Sequence, residues 1–486
     1  MNGRGKKKSN SRRKMRGILK LLLLLLFSLS INAQHQELAE KPEIWKEKEI
    51  ITDTTSILSA FRRGKVNGNF RYFFMATDNK QGLTDYYANA IGGGIKYETA
   101  RLKNFQFGVS GYFIFNLNSS DLHMPDHKTG QLNRYEIGLF DIQDPNNKSN
   151  IDRVEELYLK YYYKNSSITF GKQLLNSPFI NLQDGRMRPT EVEGIWFEVN
   201  EFKKSKIQLG YLYSISPRST VHWYKIEESI GVYPVGVNEY GIKSDYKNNL
   251  KSKGIFIAGI TQEISPKIKL QVLDQYTENI FNSAFLQLNY ESRIVENLKL
   301  ITGFQVIRQD ALKDGGNADP LKTYIKKGSK AWIFGSQIGL KNKQWETTFN
   351  YTRITANGKY LMPREWGRDP FFTFMPRERN EGFGDVHAFM VKSSYKINKI
   401  PLTASIAAGH FNLPDVVNYE LNKYGLPSYN QLNIDIRYKF SGFFKGFDSQ
   451  LLYVHKANTG NTYGNEKYVI NKTDMNSWNL VINYQF

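Results

Sequence analysis

The sequence predicts an all-β protein: a transmembrane antiparallel β-barrel of about 18 strands, with short periplasmic turns and long extracellular loops. Three features carry this prediction: segments of alternating apolar and polar residues, connections that alternate between short and long, and a closing segment that ends on an aromatic residue. The absence of a long apolar run after residue 33 excludes a helical membrane protein. A barrel is compatible with a mean hydropathy of −0.50, because alternating strands average to a polar sequence.

The closing segment, 478–486, carries a large apolar side chain at every second position, namely Trp478, Leu480, Ile482, Tyr484 and Phe486. Period-two alternation puts these side chains on one face of a strand. Taken alone, the pattern fits a lipid-facing barrel strand and the edge strand of a soluble sandwich equally well. In a barrel, we expect these five residues to be the assembly signal that the barrel-insertion machinery recognises.

Similar segments continue along the chain from Val66 onward, and about 18 of them can be counted, an even number as single-chain barrels of this type require. Short connections separate them at 100–104, 164–167, 201–205, 263–266, 293–297, 342–344 and 398–401. Longer connections lie between these, at 116–153, 174–192, 216–253, 309–330, 354–386, 412–430 and 457–476. This alternation of short and long connections favours the barrel over a soluble sandwich.

The first 33 residues have the composition of a cleaved signal peptide. Nine Lys and Arg residues accompany an apolar run at 19–29, which at about 11 residues is too short to span a bilayer. Cleavage is expected near Ala33. Residues 34–62 are predicted to be an N-terminal periplasmic leader, with a small plug in the lumen as the alternative, and residues 63–486 to be the barrel domain. The predicted location is the cell outer membrane of a Gram-negative bacterium.

Charge and cysteine content exclude several classes of partner and site. Removal of residues 1–33 lowers the net charge from +20 to +11, with 57 basic against 46 acidic residues spread along the chain. This excess favours anions in a cavity or on a surface, whereas nucleic acid is not expected as a partner because the chain is exported. The chain has no cysteine, which excludes a lipoprotein, disulfides and thiolate metal sites.

No arrangement of residues in the sequence indicates an enzyme. His123 and His127 are four residues apart, but they lie in a Pro- and Asp-rich segment that favours a solvated loop over a metal site. The Gly-x-Ser-x-Gly, His-Glu-x-x-His and phosphate-binding glycine motifs are absent. We therefore predict no catalytic residue, no metal ion and no cofactor.

Two of the long connections have a composition that is unusual for solvent-exposed loops. The first, 174–194, carries Arg186 and Arg188 beside Asp184 and is stiffened by two prolines. The second, 363–384, is rich in proline and aromatic residues and carries four arginines, namely Arg364, Arg368, Arg377 and Arg379. Stiff, aromatic segments with paired charges are typical of loops folded into a lumen, with packing outside the barrel as the alternative. In a lumen, these seven charged residues would line a constriction.

The inner wall of the barrel can be predicted from the same alternation. If the large apolar set faces lipid, the residues between them face the lumen. This places a set of charged side chains inside, namely Arg71, Lys96, Glu98, Glu156, Lys160, Asp435, Arg437 and Lys439. Of the basic members, Arg71, Lys96, Lys160 and Arg437 are the candidate lumen-wall residues. Mixed charges across a narrow channel create a transverse field that orients dipolar solutes.

Several short runs resemble the OprD-type family of outer-membrane porins. They are Phe170-Gly171-Lys172-Gln173, Ser177-Pro178, the segment 184–190, Glu193-Gly194, Tyr97-Glu98-Thr99 and Arg368-Asp369-Pro370-Phe371. The resemblance covers most of 64–486 at low density and is most specific at 170–194. It implies an eighteen-stranded barrel whose inward loops form a narrow basic constriction, and passage of small, often anionic or zwitterionic solutes such as amino acids, peptides or aromatic acids. The basic segment before residue 33, the 34–62 leader and the longer loops depart from the family.

Three classes of function follow from these observations. The leading hypothesis is a porin: a passive diffusion channel for small hydrophilic, carboxylate-bearing solutes, embedded in the lipid bilayer as a monomer or trimer. The first alternative is an outer-membrane barrel enzyme such as a hydrolase, which activity on lipid or peptide in a channel-silent preparation would reveal. The second is a closed structural or adhesive barrel, which flat conductance in planar bilayers would reveal.

Overall fold

The computed structural model describes residues 44–45, 55–182, 186–377, 379–397 and 400–486. The chain forms a closed antiparallel β-barrel of 18 strands, and one further strand of two residues lies in a connection. Each barrel strand pairs with its neighbours along the chain, and the first strand pairs with the last. The predicted fold class and strand number are confirmed. The expected signal peptide, 1–33, and most of the 34–62 leader lie outside the described residues.

The strands are numbered in chain order. Those of the first half are β1 (Lys65–Asp78), β2 (Tyr86–Glu98), β3 (Phe105–Ser119), β4 (Ile151–Tyr163), β5 (Ser166–Gln173), β6 (Glu191–Val199), β7 (Ser205–Ser216), β8 (Tyr224–Lys225), β9 (Ile255–Ser265) and β10 (Ile268–Thr277). Those of the second half are β11 (Phe281–Val295), β12 (Leu298–Ala311), β13 (Lys330–Lys341), β14 (Trp345–Ile354), β15 (Val386–Ile397), β16 (Leu402–Asn412), β17 (Tyr429–Lys439), β18 (Phe447–Asn458) and β19 (Met475–Gln485). The two-residue strand is β8, which pairs with β7.

In the part of the chain that the structure describes, helix is confined to short segments outside the barrel strands. The first, α1 (Ile57–Arg62), precedes β1, and the second, α2 (Ile226–Ser229), follows β8. Short 3-10 helices occupy Glu136–Leu139, Gly442–Phe444 and Glu466–Tyr468. Among the described residues, no helix is long and apolar enough to cross a membrane.

The two faces of the strands differ as the alternation predicts. In β19, Ser477 and Asn479 are buried on the inner face, whereas Trp478 is 46% exposed on the outer face. Large apolar side chains are also exposed on the outer faces of other strands, for example Phe113, Phe197, Leu209, Phe304 and Phe349. A continuous apolar outer surface of this kind is stable when lipid covers it.

The connections differ between the two ends of the barrel. At the end that we name the turn end, they are short, at 99–104, 164–165, 200–204, 266–267, 296–297, 342–344, 398–401 and 440–446. At the opposite end, the loop end, seven are long, at 120–150, 174–190, 217–254, 312–329, 355–385, 413–428 and 459–474, and two are short, at 79–85 and 278–280. We name 174–190 the early loop and 355–385 the late loop, because these two enter the barrel.

The early and late loops form the core of the barrel interior together with the wall. Phe179 of the early loop meets Phe285 of β11 edge to face, with ring centroids 5.9 Å apart. Trp366 of the late loop is fully buried, lies 6.0 Å from the ring of Phe281, and donates its indole N–H to Ser229 Oγ at 3.0 Å. The interior at the loop end is therefore packed like a protein core, and the wall strands position the loops within it.

Candidate functional site

The late loop crosses the barrel interior and is bonded to inward-facing side chains of three wall strands. Gln305 of β12 donates to the carbonyl of Pro370 at 2.7 Å, and Gln431 of β17 donates to the carbonyl of Pro376 at 2.7 Å. Between them, the Thr373 hydroxyl contacts that of Thr352 on β14 at 2.8 Å. Proline has no backbone N–H, so a proline-rich loop has too few donors to pair all of its own carbonyls. The wall glutamines donate to two of these carbonyls. The loop is thereby fixed across the lumen.

The early loop is joined to the late loop by hydrogen bonds. Asn181 donates to the carbonyl of Arg368 at 2.9 Å and accepts from the backbone N–H of Arg368 at 3.0 Å. Its own backbone N–H donates to the carbonyl of Trp366 at 3.1 Å. Gly367, with φ of +151°, allows this close approach, since a Cβ there would lie 2.6 Å from Asn181 Oδ1. Thr190 adds a bond to the carbonyl of Glu365 at 2.8 Å.

A β-bulge in β4 directs two successive carboxylates into the interior. The pairing of β3 with β4 shifts between Val109 and Gly111, so that Glu155 and Glu156 are both buried. A bulge inserts one extra residue and re-aims the side chains around it. Glu156 is bonded to Lys96 Nζ at 3.0 Å, and Glu155 is bonded to Arg153 Nη2 at 2.7 Å.

Arg188 anchors the early loop to this buried carboxylate cluster. Its guanidinium lies 3.7 Å from Glu155 and donates to the carbonyl of Thr220 at 2.5 Å. Burial and the neighbouring Arg153 charge lower the pKa of Arg188 to about 9. The carbonyl of Arg186 accepts from Arg71 Nη1 on β1 at 2.6 Å.

The third charged residue predicted for the early loop, Asp184, lies outside the described residues.

The four arginines of the late loop occupy different environments. Arg364 pairs with Glu381 and lies over the ring of Tyr424, and Arg379 donates to the carbonyl of Arg364 at 3.0 Å. Arg377 has φ of +77° and bonds to Asn479 on the inner face of β19. Arg368 lies over the ring of Phe374, with 4.8 Å between the guanidinium carbon and the ring centroid.

Burial shifts the protonation of several loop groups. The pKa of Asp369 rises to about 7, because desolvation outweighs the nearby Arg379 and Arg364 charges. The pKa of Glu365 is also raised by burial, although its carboxylate accepts backbone N–H bonds from Tyr233 and Gly231. The negative charge of Asp369 therefore depends on pH near neutrality.

The predicted basic residues of the wall lie on inward-facing positions. Arg71 bonds to Asn483 Oδ1 at 2.7 Å, and Lys96 pairs with Glu156. Lys160 on β4 lies 5.0 Å from the centroid of the Tyr162 ring. Arg437 on β17 pairs with Asp435 at 3.0 Å, with its side chain 44% exposed.

Lys392 is a lumen-facing residue that sequence reasoning missed. It lies on the inner face of β15 and is partly buried. Two cations, Arg437 and Arg368, and two carboxylates, Glu346 and Asp435, lie within electrostatic range of its ammonium. The signal that could have found it is the alternation of β15, in which Phe389 and Val391 face outward and Lys392 therefore faces inward.

Exposure separates the predicted arginines into two groups. Arg186, Arg188, Arg377 and Arg379 are all buried, at 7% exposure or less. Arg364 and Arg368 are partly buried. The Arg364 side chain is 14% exposed and pairs with Glu381, whereas Arg368 lies where the early and late loops meet. The accessible positive charge in the interior is therefore carried by Arg368 together with wall residues such as Lys392 and Arg437.

The sequence matches the family model described as outer membrane porin, OprD family, over residues 110–365. This match extends from β3 into the late loop and includes the whole early loop. No curated protein matches the sequence.

The fold is similar to several solved porin structures. The crystal structure of Pseudomonas aeruginosa OccK9 (OpdG) aligns with a TM-score of 0.68 at 13% identity, covering 88% of this chain and 99% of that chain. Pseudomonas aeruginosa OpdK with vanillate aligns with a TM-score of 0.66 at 13% identity and the same coverage. Acinetobacter baumannii OccAB3 gives 0.68 at 15% identity, covering 87% and 99%.

Proposed function

This chain belongs to the OprD family of outer-membrane porins, and we propose that it is a passive diffusion channel for small hydrophilic solutes that carry a carboxylate, such as amino acids, short peptides or organic acids. Porins of this family are substrate-specific channels in the outer membrane of Gram-negative bacteria, and this protein is one of them. The proposal adds the class of solute and the residues that select it.

The position of Arg368 is the observation that carries the proposal. Asn181 holds its backbone from both the N–H and the carbonyl, while its guanidinium lies against Phe374 and stays partly exposed. A guanidinium offers planar, bidentate donors to a carboxylate. The protein walls lower the effective dielectric, which strengthens the attraction of a fixed charge for a passing anion.

Wall cations extend this positive region beyond the late loop. The charge of Arg368 acts on Lys392, which also lies within electrostatic reach of Arg437. We propose that further wall cations, Arg71, Lys96 and Lys160, continue the basic path. Glu346 and Asp435 reduce the net field near Lys392, so the proposed preference is for solutes with both an anionic and a polar or cationic group.

The other arginines of the early and late loops have a different proposed role. Arg188 holds the early loop through Glu155 and Thr220, and Arg377 holds the late loop through Asn479. We propose that these residues shape the constriction, together with Arg186, Arg364, Arg379 and Asp184. In this scheme their charge acts on the solute indirectly, whereas Arg368 contacts it.

The test is the reversal potential in planar bilayers under a salt gradient, with uptake of small carboxylates measured in parallel. An Arg368→Ala, Lys392→Ala double variant is expected to lose anion preference and to slow carboxylate uptake by about tenfold. Arg368→Lys retains the positive charge without the planar donors, so it should keep the ion preference and lose part of the uptake. An Arg186→Ala, Arg188→Ala double variant should instead alter conductance through a displaced early loop.

Arg308→Ala is the matched control, because Arg308 faces outward on β12 and pairs with Asp310 there at 2.5 Å. Its removal should leave the reversal potential and the uptake unchanged. If the Arg368→Ala, Lys392→Ala variant folds normally and behaves like the control, the assignment of these residues to the solute path is wrong.

A further inference from the structure

Two residues of the N-terminal leader lie inside the barrel. The indole N–H of Trp45 donates to Glu156 Oε2 at 2.7 Å, and the carbonyl of Ile44 accepts from Asn69 Nδ2 at 2.8 Å. Glu156 and Asn69 both face inward, from β4 and β1. The leader is therefore attached to the lumen wall at a side chain and at the backbone.

The wall provides a site for the Trp45 side chain. The bulge of β4 brings Glu156 into the lumen, where Lys96 at 3.0 Å and Ser110 Oγ at 3.2 Å fix its carboxylate. The indole lies where the wall has no side chain, since a Cβ at Gly94 would be 2.9 Å from Cη2 of Trp45. An indole N–H that is partly withdrawn from solvent favours an acceptor, and Glu156 supplies it.

The site belongs to the turn-end half of the barrel. Gly94 lies near the turn-end terminus of β2, and Asn69 lies near the turn-end terminus of β1. At the same end, α1 is attached to the rim by two hydrogen bonds. The Tyr97 hydroxyl donates to the carbonyl of Phe61 at 2.6 Å, and the N–H of Ala100 donates to the carbonyl of Ala60 at 3.0 Å. The leader thus has one attachment at the rim and another inside.

We propose that Ile44 and Trp45 form an intrachain plug, which narrows the lumen from the turn end while the early and late loops narrow it from the loop end. The indole, held by the Glu156 carboxylate, lies beside the lumen-wall cation Lys96, which is bonded to the same carboxylate. Conduction then depends on whether the Trp45 indole occupies its site on Glu156, since a narrower lumen passes fewer ions and solutes. The proposal concerns gating and requires only that the protein conducts.

Single-channel conductance of the mature chain in planar bilayers tests the plug. Trp45→Ala removes both the ring and the donor, and should raise the mean conductance about twofold or more. Trp45→Phe keeps an aromatic ring but has no N–H to donate, so closures should be shorter than in the wild type. Leu58→Ala is the matched control, because Leu58 belongs to the same leader and is 60% exposed in α1.

A second measurement uses the absence of cysteine from the chain. In a Trp45→Cys variant, reaction with a bulky charged thiol reagent should reduce the current, because the modified side chain lies in the solute path. Equal conductance of wild type and Trp45→Ala, or a current that is unchanged when Cys is modified, overturns the plug and leaves the porin assignment intact. If neither wild type nor variant conducts, both proposals are overturned.

Discussion

The ring of Phe486 packs directly over Gly68, at the seam where the last strand meets the first. A Cβ built on Gly68 would lie 2.0 Å from Cζ of Phe486, so the glycine leaves the space that the ring fills. The two residues also exchange backbone hydrogen bonds, with the Gly68 N–H donating to the Phe486 carbonyl at 3.1 Å and the Phe486 N–H donating in return at 3.2 Å. The final residue of the chain thus completes the closure of the barrel.

We expect Phe486→Asp to block assembly into the outer membrane. A charge on the lipid face near the interface costs only about 1 kcal/mol, so the defect should arise mainly in recognition of the closing strand by the insertion machinery. The measurement is the amount of heat-modifiable, membrane-embedded protein. Phe443→Asp is the control, because Phe443 is 95% exposed in a turn-end connection and away from the seam. Normal assembly of the Phe486 variant would contradict the proposed signal.

Asn181→Ala should loosen the joint between the early and late loops. The substitution removes the two hydrogen bonds to the backbone of Arg368, which are partly buried, at a cost of about 1 kcal/mol for each bond. Thermal unfolding in detergent should shift to lower temperature, and the single-channel current should become noisier with weaker ion preference. Asn176→Ala in the same loop is the control, since Asn176 makes no hydrogen bond to the late loop among the described residues. Identical behaviour of the two variants would argue against the joint.

The raised pKa of Asp369 predicts that the stability of the folded protein changes with pH. Its folded-state pKa of about 7 exceeds the ordinary value of 3.8, so the folded protein keeps a proton that the unfolded chain has released. This contribution to stability is fully present below about pH 4 and is lost as pH rises through about 7. Asp369→Asn mimics the protonated form, and should therefore unfold at a higher temperature than wild type at pH 8 but not at pH 4.

The size of this effect is on the order of 4 kcal/mol, since each unit of pKa difference corresponds to about 1.4 kcal/mol. Unfolding temperatures of both proteins from pH 4 to pH 8 measure it. The control is Asp319→Asn, because the Asp319 side chain is 45% exposed in another loop. A constant difference between wild type and the Asp369 variant across this range would show that the carboxyl does not titrate there.

The alternation of connection lengths predicts which end of the barrel faces outward. An epitope inserted after Tyr240, which is 68% exposed in the connection 217–254, should be accessible on intact cells. The same epitope inserted after Lys164, in the short connection between β4 and β5, should react only after the outer membrane is permeabilised. The reverse pattern of labelling would show that the turn end faces outward, which contradicts the predicted orientation.

Local alternation was sufficient to predict the barrel and the faces of its strands. In β19, the face on which a side chain lies depends only on whether its position in the strand is odd or even. Trp478 could therefore be assigned to the outer face without knowledge of its partners. The same rule placed Arg71 and Arg437 inside. Composition alone marked the two arginine-rich loops, because large aromatic residues beside paired charges are uncommon in loops that remain in solvent.

The contacts that define the site could not be predicted in this way, because they join residues that are distant in sequence. Strict alternation places Glu155 and Glu156 on opposite faces, and only the bulge in β4 brings both inside to hold Arg188 and Lys96. The attachment of Trp45 to Glu156 spans 111 positions and has no local signature. Tertiary packing, which no short segment encodes, decides which arginines remain accessible.

The bond between Arg377 and Asn479 has a consequence for the order of assembly. Asn479 lies on the inner face of β19, and Tyr135 of another loop donates to the carbonyl of Arg377 at 2.8 Å. The bond from Arg377 can form only where β19 has taken its place in the wall. A barrel in which β19 has not yet paired would lack this attachment of the late loop, so closure of the wall and anchoring of the loop depend on the same strand.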